Sequence, residues 1–344
     1  LPGFFFCDTL KFKMEKSNVK IPVIIITGAT GVGKTDLALK MCREFGGEAV
    51  SADSRQVYQG MDIGTGKEIF DPDIRVEKQE GVWRVNGIPI YLYDVALPDE
   101  EFSVSHFRTL ALDQIENISK RKKIPIVVGG TGFYLRSLVD KIDTLMIKPD
   151  RSLRRRLDQV YKEKGAKALF DELLSQNPKL AKRIDPQNPR RIIRAIEIAL
   201  NPYQITKKTK EPCLEFLWIG LKLPRELLYA KADGRVEEMV RNGLLDEIKT
   251  LLEERYAWDL PVMSSIGYRQ FRPYFEGTKS IDECVQKLKW DTHAYIRQQE
   301  TWFKKQPEIS WFNLNEQDVL KRIEREICEY LKRSDCQERL NKLK

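Results

Sequence analysis

Between residues 21 and 135 the chain switches repeatedly between short continuous apolar runs and stretches with helical spacing. Ile21–Thr27 (IPVIIIT) is apolar at nearly every position, rich in β-branched residues, and ended by a glycine. A run of that kind buries both faces, as strands of a parallel sheet do. Leu37, Ala38, Met41, Cys42 and Phe45 then recur on one helical face. Further strands are predicted at Gly47–Asp53, Ile88–Val95 and Lys123–Gly130. Between the last two, Phe107, Leu110, Ala111, Ile115 and Ile118 share one face of a helix. Repeated β-α units predict an α/β fold, a parallel sheet flanked by helices.

The rhythm changes between residues 142 and 210, where the strands stop and RSLRRRLDQVYKEKGAKALFDELLSQ reads as helices dense in Arg and Lys. A strand returns at Cys213–Leu223, and the remainder is mostly helical. The expected organisation is a core from residues 1–141 and 211–310, a basic helical insertion at 142–210, and a helical tail at 311–344.

Composition narrows the class. The 344 residues are 42% hydrophobic and 32% charged, which suits a globular protein with one large domain or two smaller ones. No run of about 18 apolar residues marks a membrane span. The opening LPGFFFCDTL lacks the basic and small-residue flanks of a signal peptide. It reads as a tag remnant or a displaced start, with Met14 as the natural initiator. Six cysteines (Cys7, Cys42, Cys213, Cys284, Cys328, Cys336) form no Cys-x-x-Cys pair, and His106 and His293 are the only histidines. That argues against a structural zinc or a disulfide framework and for a reducing, cytoplasmic setting. The net charge of +8 fits a polyanionic partner, although many basic proteins bind no nucleic acid.

Gly28-Ala29-Thr30-Gly31-Val32-Gly33-Lys34-Thr35 matches G-x-x-x-x-G-K-[ST] between a buried strand and a helix, as a P-loop NTPase-like fold requires. Glycines let backbone N–H groups turn toward phosphate oxygens, and the helix N-terminus adds positive potential. Lys34 supplies a charge to the outer phosphates, and the Thr35 hydroxyl suits Mg²⁺. A phosphorylated ligand follows, but the reaction does not, since kinases, NTPases and some transferases share this loop.

The next segment, Asp53-Ser54-Arg55-Gln56-Val57-Tyr58 followed by Gly64-Thr65-Gly66-Lys67, resembles the tRNA dimethylallyltransferase (isopentenyltransferase) family, bacterial type. Further blocks agree in order: Val128–Leu135, Asp185–Glu197, Gly243–Glu247, Ile266–Gln270 and Gln299–Phe303. Together they cover roughly residues 21–304. The chain departs from the pattern at Ile90-Tyr91, where the family often has paired histidines. It departs again at His293 and Gln298, which stand where arginines are expected. The zinc finger of eukaryotic members has no counterpart in the sequence.

The resemblance implies transfer of a dimethylallyl group from dimethylallyl pyrophosphate to N6 of an adenosine beside the tRNA anticodon, with the Mg²⁺ that Thr35 suits; a monomer is expected. Asp53 lies just past the second strand, at the carboxyl edge that faces the crevice in such sheets. By resemblance it is the base for the adenine amine, and Arg235 reaches the pyrophosphate. Lys231, one turn earlier, is placed to share that role. Ser54, Arg55 and Gln56 are implied to hold the adenine edge, and Thr131 to touch the target nucleotide. Gln187, Asn188, Pro189, Arg190 and Arg191 match a tRNA-contacting segment, with Arg154 among the cations of the insertion. An unpaired base flipped from its stack is the expected substrate. Trp290, Tyr295 and Trp302 are candidates for stacking, though amphipathic core packing is the commoner use of such residues. The competing readings are a P-loop kinase of a nucleotide or small metabolite, an adenylate isopentenyltransferase, and an RNA-binding module holding a nucleotide structurally.

Overall fold

The computed structural model describes residues 20–140, 149–201 and 211–333, with 142, 144 and 147 between. Met14 and the segment before it lie outside the described residues. The chain divides into two compact units, one formed by the segments up to Val139 and from Pro212, the other by Asp140–Glu211.

The larger unit is built on an eight-stranded sheet. In chain order its elements are β1 (Ile21–Gly28), α1 (Lys34–Phe45), β2 (Gly47–Ser51), β3 (Val76–Gln79), β4 (Val82–Val85), β5 (Ile88–Tyr91), α2 (Val104–Lys120), β6 (Ile124–Val128) and α3 (Gly132–Val139). The smaller unit contributes α4 (Arg151–Gln176), α5 (Pro178–Ala181) and α6 (Pro189–Leu200). The larger unit resumes with β7 (Leu214–Lys222), α7 (Arg225–Arg241), α8 (Leu244–Glu253), α9 (Arg272–Phe275), α10 (Ile281–Phe303), β8 (Ile309–Asn313) and α11 (Val319–Arg333).

The strand order is β3-β4-β5-β2-β6-β1-β7-β8. Every pairing from β5 to β8 is parallel, and only the β3–β4 hairpin and its junction with β5 run antiparallel. Successive strand residues point to opposite faces, and β1 shows why its sequence is apolar throughout. Ile24 and Ile26 pack with Leu37, Met41, Leu228 and Ile323 on one side. Val23 and Ile25 pack with Phe107, Ile115 and Leu135 on the other. All four β1 side chains are fully buried, each worth about 1.5–3 kcal/mol in transfer from water. A third apolar cluster joins Val57 and Met61 to Val236, Ile248, Tyr268 and Leu288, and so fixes the loop after β2 against α7, α8 and α10.

Two sequence expectations change, and one hairpin is new. The strand read as Ile88–Val95 stops at Tyr91, and the chain turns with Leu92 and Asp94 in the left-handed region, at φ 68° and 54°. The turn carries the Asp94 carboxylate onto Lys67 and the Trp83 indole N–H. The β3–β4 hairpin had no clear apolar signal, because only Trp83 and Val85 are buried. The boundary placed at 310 falls inside β8, which pairs with β7. α11 then buries Val319, Ile323, Ile327 and Leu331 in the main core, so the described part of the C-terminal segment belongs to the sheet.

In the smaller unit, Leu157, Leu169, Leu173, Ile192 and Ile196 make a separate core. Gly165, at φ 77°, breaks α4 into two helical stretches.

Candidate active site

The carboxyl ends of β1, β2 and β6 meet around a cavity of about 1270 Å³. That exceeds the volume of an ordinary single-ligand pocket, about 300–1,000 Å³. Its wall includes Thr30, Gly31, Gly33, Lys34 and Thr35 from the glycine loop, Asp53 to Gln56 from the segment after β2, Lys231 and Arg235 from α7, and Tyr295 from α10. Parallel strands place their following loops on one edge, which is why these segments, distant in sequence, converge.

The loop after β1 turns into α1 through Gly33, whose φ of 100° is left-handed. Lys34 Nζ donates to the Ala29 carbonyl at 2.9 Å. Burial pulls its ammonium down to about 8; the charge of Asp53 opposes that shift and Arg235 adds to it. A cation held beside a carboxylate in a sheltered pocket is poised for anionic oxygens. Gly28, Ala29 and Val32 do not line the cavity. Ala29 and Val32 turn their side chains into the core beneath the loop.

Asp53 follows directly on β2, whose Ala52 N–H donates to Val128 O at 2.8 Å. Its Oδ1 accepts the Arg55 N–H at 2.8 Å, a turn that fixes the carboxylate. The Ser54 N–H donates to Thr131 Oγ1 at 3.0 Å. Thr131 thus supports the Asp53 turn and is not among the cavity-lining residues. Gln56 lines the cavity, but its Oε1 accepts from Ser51 Oγ at 2.9 Å and its Nε2 reaches Thr65 O at 3.4 Å.

Arg235 closes another wall. Its guanidinium donates to Gly66 O at 3.1 Å. The loop that carries Gly66 is held by Glu247 of α8, whose carboxylate accepts the N–H groups of Asp62, Ile63 and Gly64 at 2.7, 2.7 and 3.0 Å and the Tyr268 hydroxyl at 2.8 Å. Burial raises the Glu247 carboxyl above its ordinary value, and these donors counter the shift. Below the loop, buried Lys67 donates to Tyr58 O at 2.7 Å and pairs with Asp62 and Asp94. Glu247, Tyr268 and Lys67 all stand in the sequence blocks that carry the resemblance, yet nothing in their local spacing announces a loop clamp. Gln299, in the last block, was missed in the same way; it bonds the glycine loop to the end of β6.

The remaining candidates separate. Tyr295 faces the cavity. Trp290 is 61% exposed, and Trp302 packs edge-on against Phe303 at 5.0 Å. His293 stacks on Tyr229 at 3.9 Å and bonds Asp233 Oδ1 at 2.8 Å. Within the smaller unit, Gln187, Arg190 and Arg191 are exposed. Asn188 caps α6 by accepting the Arg191 N–H at 3.2 Å, and Pro189 starts that helix. Arg154, expected on tRNA, instead grips the fully buried Glu197 through Nε at 2.7 Å and Nη2 at 3.1 Å. A buried carboxylate needs such partners, which explains the diversion.

Among the described residues no cluster of three or more His, Cys, Asp or Glu side chains forms a metal cage, and no helix is long and apolar enough to cross a membrane.

Comparison with known proteins places this arrangement. Residues 56–306 match the family model described as IPP transferase. The chain is 43% identical over 292 residues to a tRNA dimethylallyltransferase of Roseiflexus sp. (strain RS-1), spanning 84% of this chain and 92% of that one. It is 39% identical to the tRNA dimethylallyltransferase of Acetivibrio thermocellus, over 90% of this chain and 97% of the relative. The crystal structure of the tRNA isopentenylpyrophosphate transferase from Bacillus halodurans superposes with a TM-score of 0.66 at 33% identity, covering 93% of this chain and all of that one. A eukaryotic dimethylallyltransferase acting on tRNA superposes with a TM-score of 0.70 at 26% identity, over 93% and 78% of the two chains. With its glycine loop and Asp53 on one cavity and these relatives along most of its length, the chain belongs to the IPP transferase family.

Proposed function

We propose that this chain transfers the dimethylallyl group of dimethylallyl pyrophosphate to N6 of an adenosine adjacent to the tRNA anticodon, releasing pyrophosphate. The observation that carries this reading is the shared cavity, in which the diphosphate-type loop and the Asp53 carboxylate both take part. In the reaction the N6–C1 bond forms, the C1–O bond to pyrophosphate breaks, and a proton leaves N6 for Asp53. The adenine amine is a weak nucleophile because its lone pair is delocalised into the ring, so a fixed carboxylate assists as the bond forms. Charge developing on the pyrophosphate meets Lys34, Arg235 and the loop N–H groups, a preorganised set that costs no rearrangement.

Mg²⁺ fits this site in one way. The protein donor set is thin, a Thr35 hydroxyl beside the loop, which suits an ion that keeps its waters and binds mainly through substrate phosphates. When bound it would neutralise charge on the leaving group. Exposed Gln187, Arg190 and Arg191 are the proposed tRNA contacts of the smaller unit, with Asn188 and Pro189 shaping the start of that helix. The reading takes the chain to act as a monomer.

The test is incubation with dimethylallyl pyrophosphate, Mg²⁺ and unmodified tRNA, followed by mass analysis of the digested nucleosides. Prenylated adenosine is expected. Phosphate transfer from ATP without it would make the chain a kinase, and prenylation of free adenylate alone would remove tRNA from the reading.

A further inference from the structure

Gln299 is buried in α10, and its amide is engaged at both ends. Its Oε1 accepts the Thr30 N–H of the glycine loop at 2.8 Å. Its Nε2 donates to the Gly130 carbonyl at 3.1 Å, in the turn that follows β6. The fit is close on the Gly130 side, where a Cβ would stand 2.6 Å from that nitrogen.

The same turn sets Asp53. The Thr131 N–H donates to Ala52 O at 3.3 Å, and Thr131 Oγ1 accepts the Ser54 N–H at 3.0 Å. Residues 52 and 54 flank the carboxylate, so one side-chain amide joins the diphosphate loop to the frame of the base. Tyr295, one helical turn earlier, bonds Gln299 and lies within the field of Asp53; burial first, then that charge, pushes its hydroxyl up to about 12. An amide suits the junction chemically. It both donates and accepts, and it adds no charge beside an incoming diphosphate.

We propose that Gln299 is a positioning residue that sets the separation between the diphosphate loop and Asp53, the identity of the two substrates resting on the transferase reading above. A misplacement of about 1 Å between reacting groups costs on the order of 10²-fold in rate, so the bridge acts on turnover as well as on binding.

Two full-length variants test this. Gln299→Met keeps the volume and removes both bonds. Gln299→Glu keeps an oxygen for the Thr30 N–H and loses the donor to Gly130, and it serves should the methionine variant not fold. Pyrophosphate binding is measured by titration calorimetry, RNA binding by filter retention, and transfer by steady-state kinetics. In Gln299→Met the pyrophosphate Kd and the donor KM are expected to rise roughly tenfold, the equivalent of two lost hydrogen bonds, and in Gln299→Glu they are expected to rise through one lost bond and the charge added beside the diphosphate. The kcat is expected to fall by about 10²-fold, while the RNA Kd stays within about two-fold. An unchanged pyrophosphate Kd in either folded variant would overturn the proposal, as would RNA affinity falling in step with it. Should the wild-type chain bind pyrophosphate yet prenylate no RNA, the transferase reading fails, and the pyrophosphate comparison still decides the role of Gln299.

Discussion

The Arg235 guanidinium donates to the Gly66 carbonyl at 3.1 Å and fills the space a side chain at position 66 would need, since a Cβ there would stand 1.6 Å from Nη2. The cation is therefore seated by a glycine 169 residues earlier in the chain. Gly66→Ala should displace Arg235 from the cavity wall. The expected loss in kcat/KM for the donor approaches that of Arg235→Ala, on the order of 10²-fold for one stabilising donor group. A double-mutant cycle should be strongly non-additive. Additive losses would mean that Gly66 acts through the loop backbone and not through Arg235.

Lys34 gives a pH prediction. Burial lowers its ammonium to about 8 in the free protein, and a bound diphosphate favours the charged form. Binding above that pH should draw a proton onto Lys34, so pyrophosphate affinity should weaken as pH rises through about 8. In Lys34→Arg, whose charge does not titrate in this range, that step should vanish. Calorimetry in buffers of different ionisation enthalpy would reveal the proton uptake, and an identical pH profile for both proteins would exclude Lys34 as its source.

Glu247 holds the loop that carries Gly66 through three backbone donors and Tyr268. Glu247→Gln replaces a charged acceptor with a group that accepts through one oxygen only. It should cost about 1.5–3 kcal/mol of stability, the range for hydrogen bonds to charged groups. Urea unfolding would measure it. A midpoint equal to wild type would show the loop to be held by its apolar contacts alone.

Much of the fold was legible in the sequence, chiefly because β1 and β6 are buried on both faces, and continuous apolar runs announce that. The β3–β4 hairpin and β8 lie at the sheet edges, half solvated and short, where burial writes little into the pattern. The site was legible where chemistry is local. The glycine loop and the Asp53 turn are each set within a few residues. Glu247 and Gln299 act across 183 and 269 residues, and a spacing rule has no access to such pairs. Arg154 misled for the converse reason. Its neighbours on α4 are solvated cations, but Glu197, 43 residues on, claims it.

That pairing predicts behaviour in acid. Burial would raise the Glu197 carboxyl, but the hydrogen bonds from Arg154 and Arg194 outweigh it and hold the group below its ordinary 4.5. A carboxylate depressed in the folded state contributes stability that is full above its unfolded value and is lost as pH falls through the folded one. The helical unit should therefore loosen below pH 4.5, and Arg154→Gln should weaken it already at neutral pH by about 1.5–3 kcal/mol. Exposed Arg190 and Arg191 should behave differently. Replacing either with glutamine should leave stability unchanged and lower the slope of log affinity for tRNA against log salt by about 1. A reduced slope in the Arg154 variant alone would reverse these assignments.

The most direct test is the single-turnover rate of Asp53→Asn with tRNA and dimethylallyl pyrophosphate both saturating. Asparagine keeps the size of the side chain and an oxygen for the Arg55 N–H, and removes only the proton acceptor. The prenyl-transfer rate should fall by about 10²–10⁴-fold while both substrates bind as they do to wild type. Transfer at the wild-type rate would mean that Asp53 draws no proton from the adenine amine.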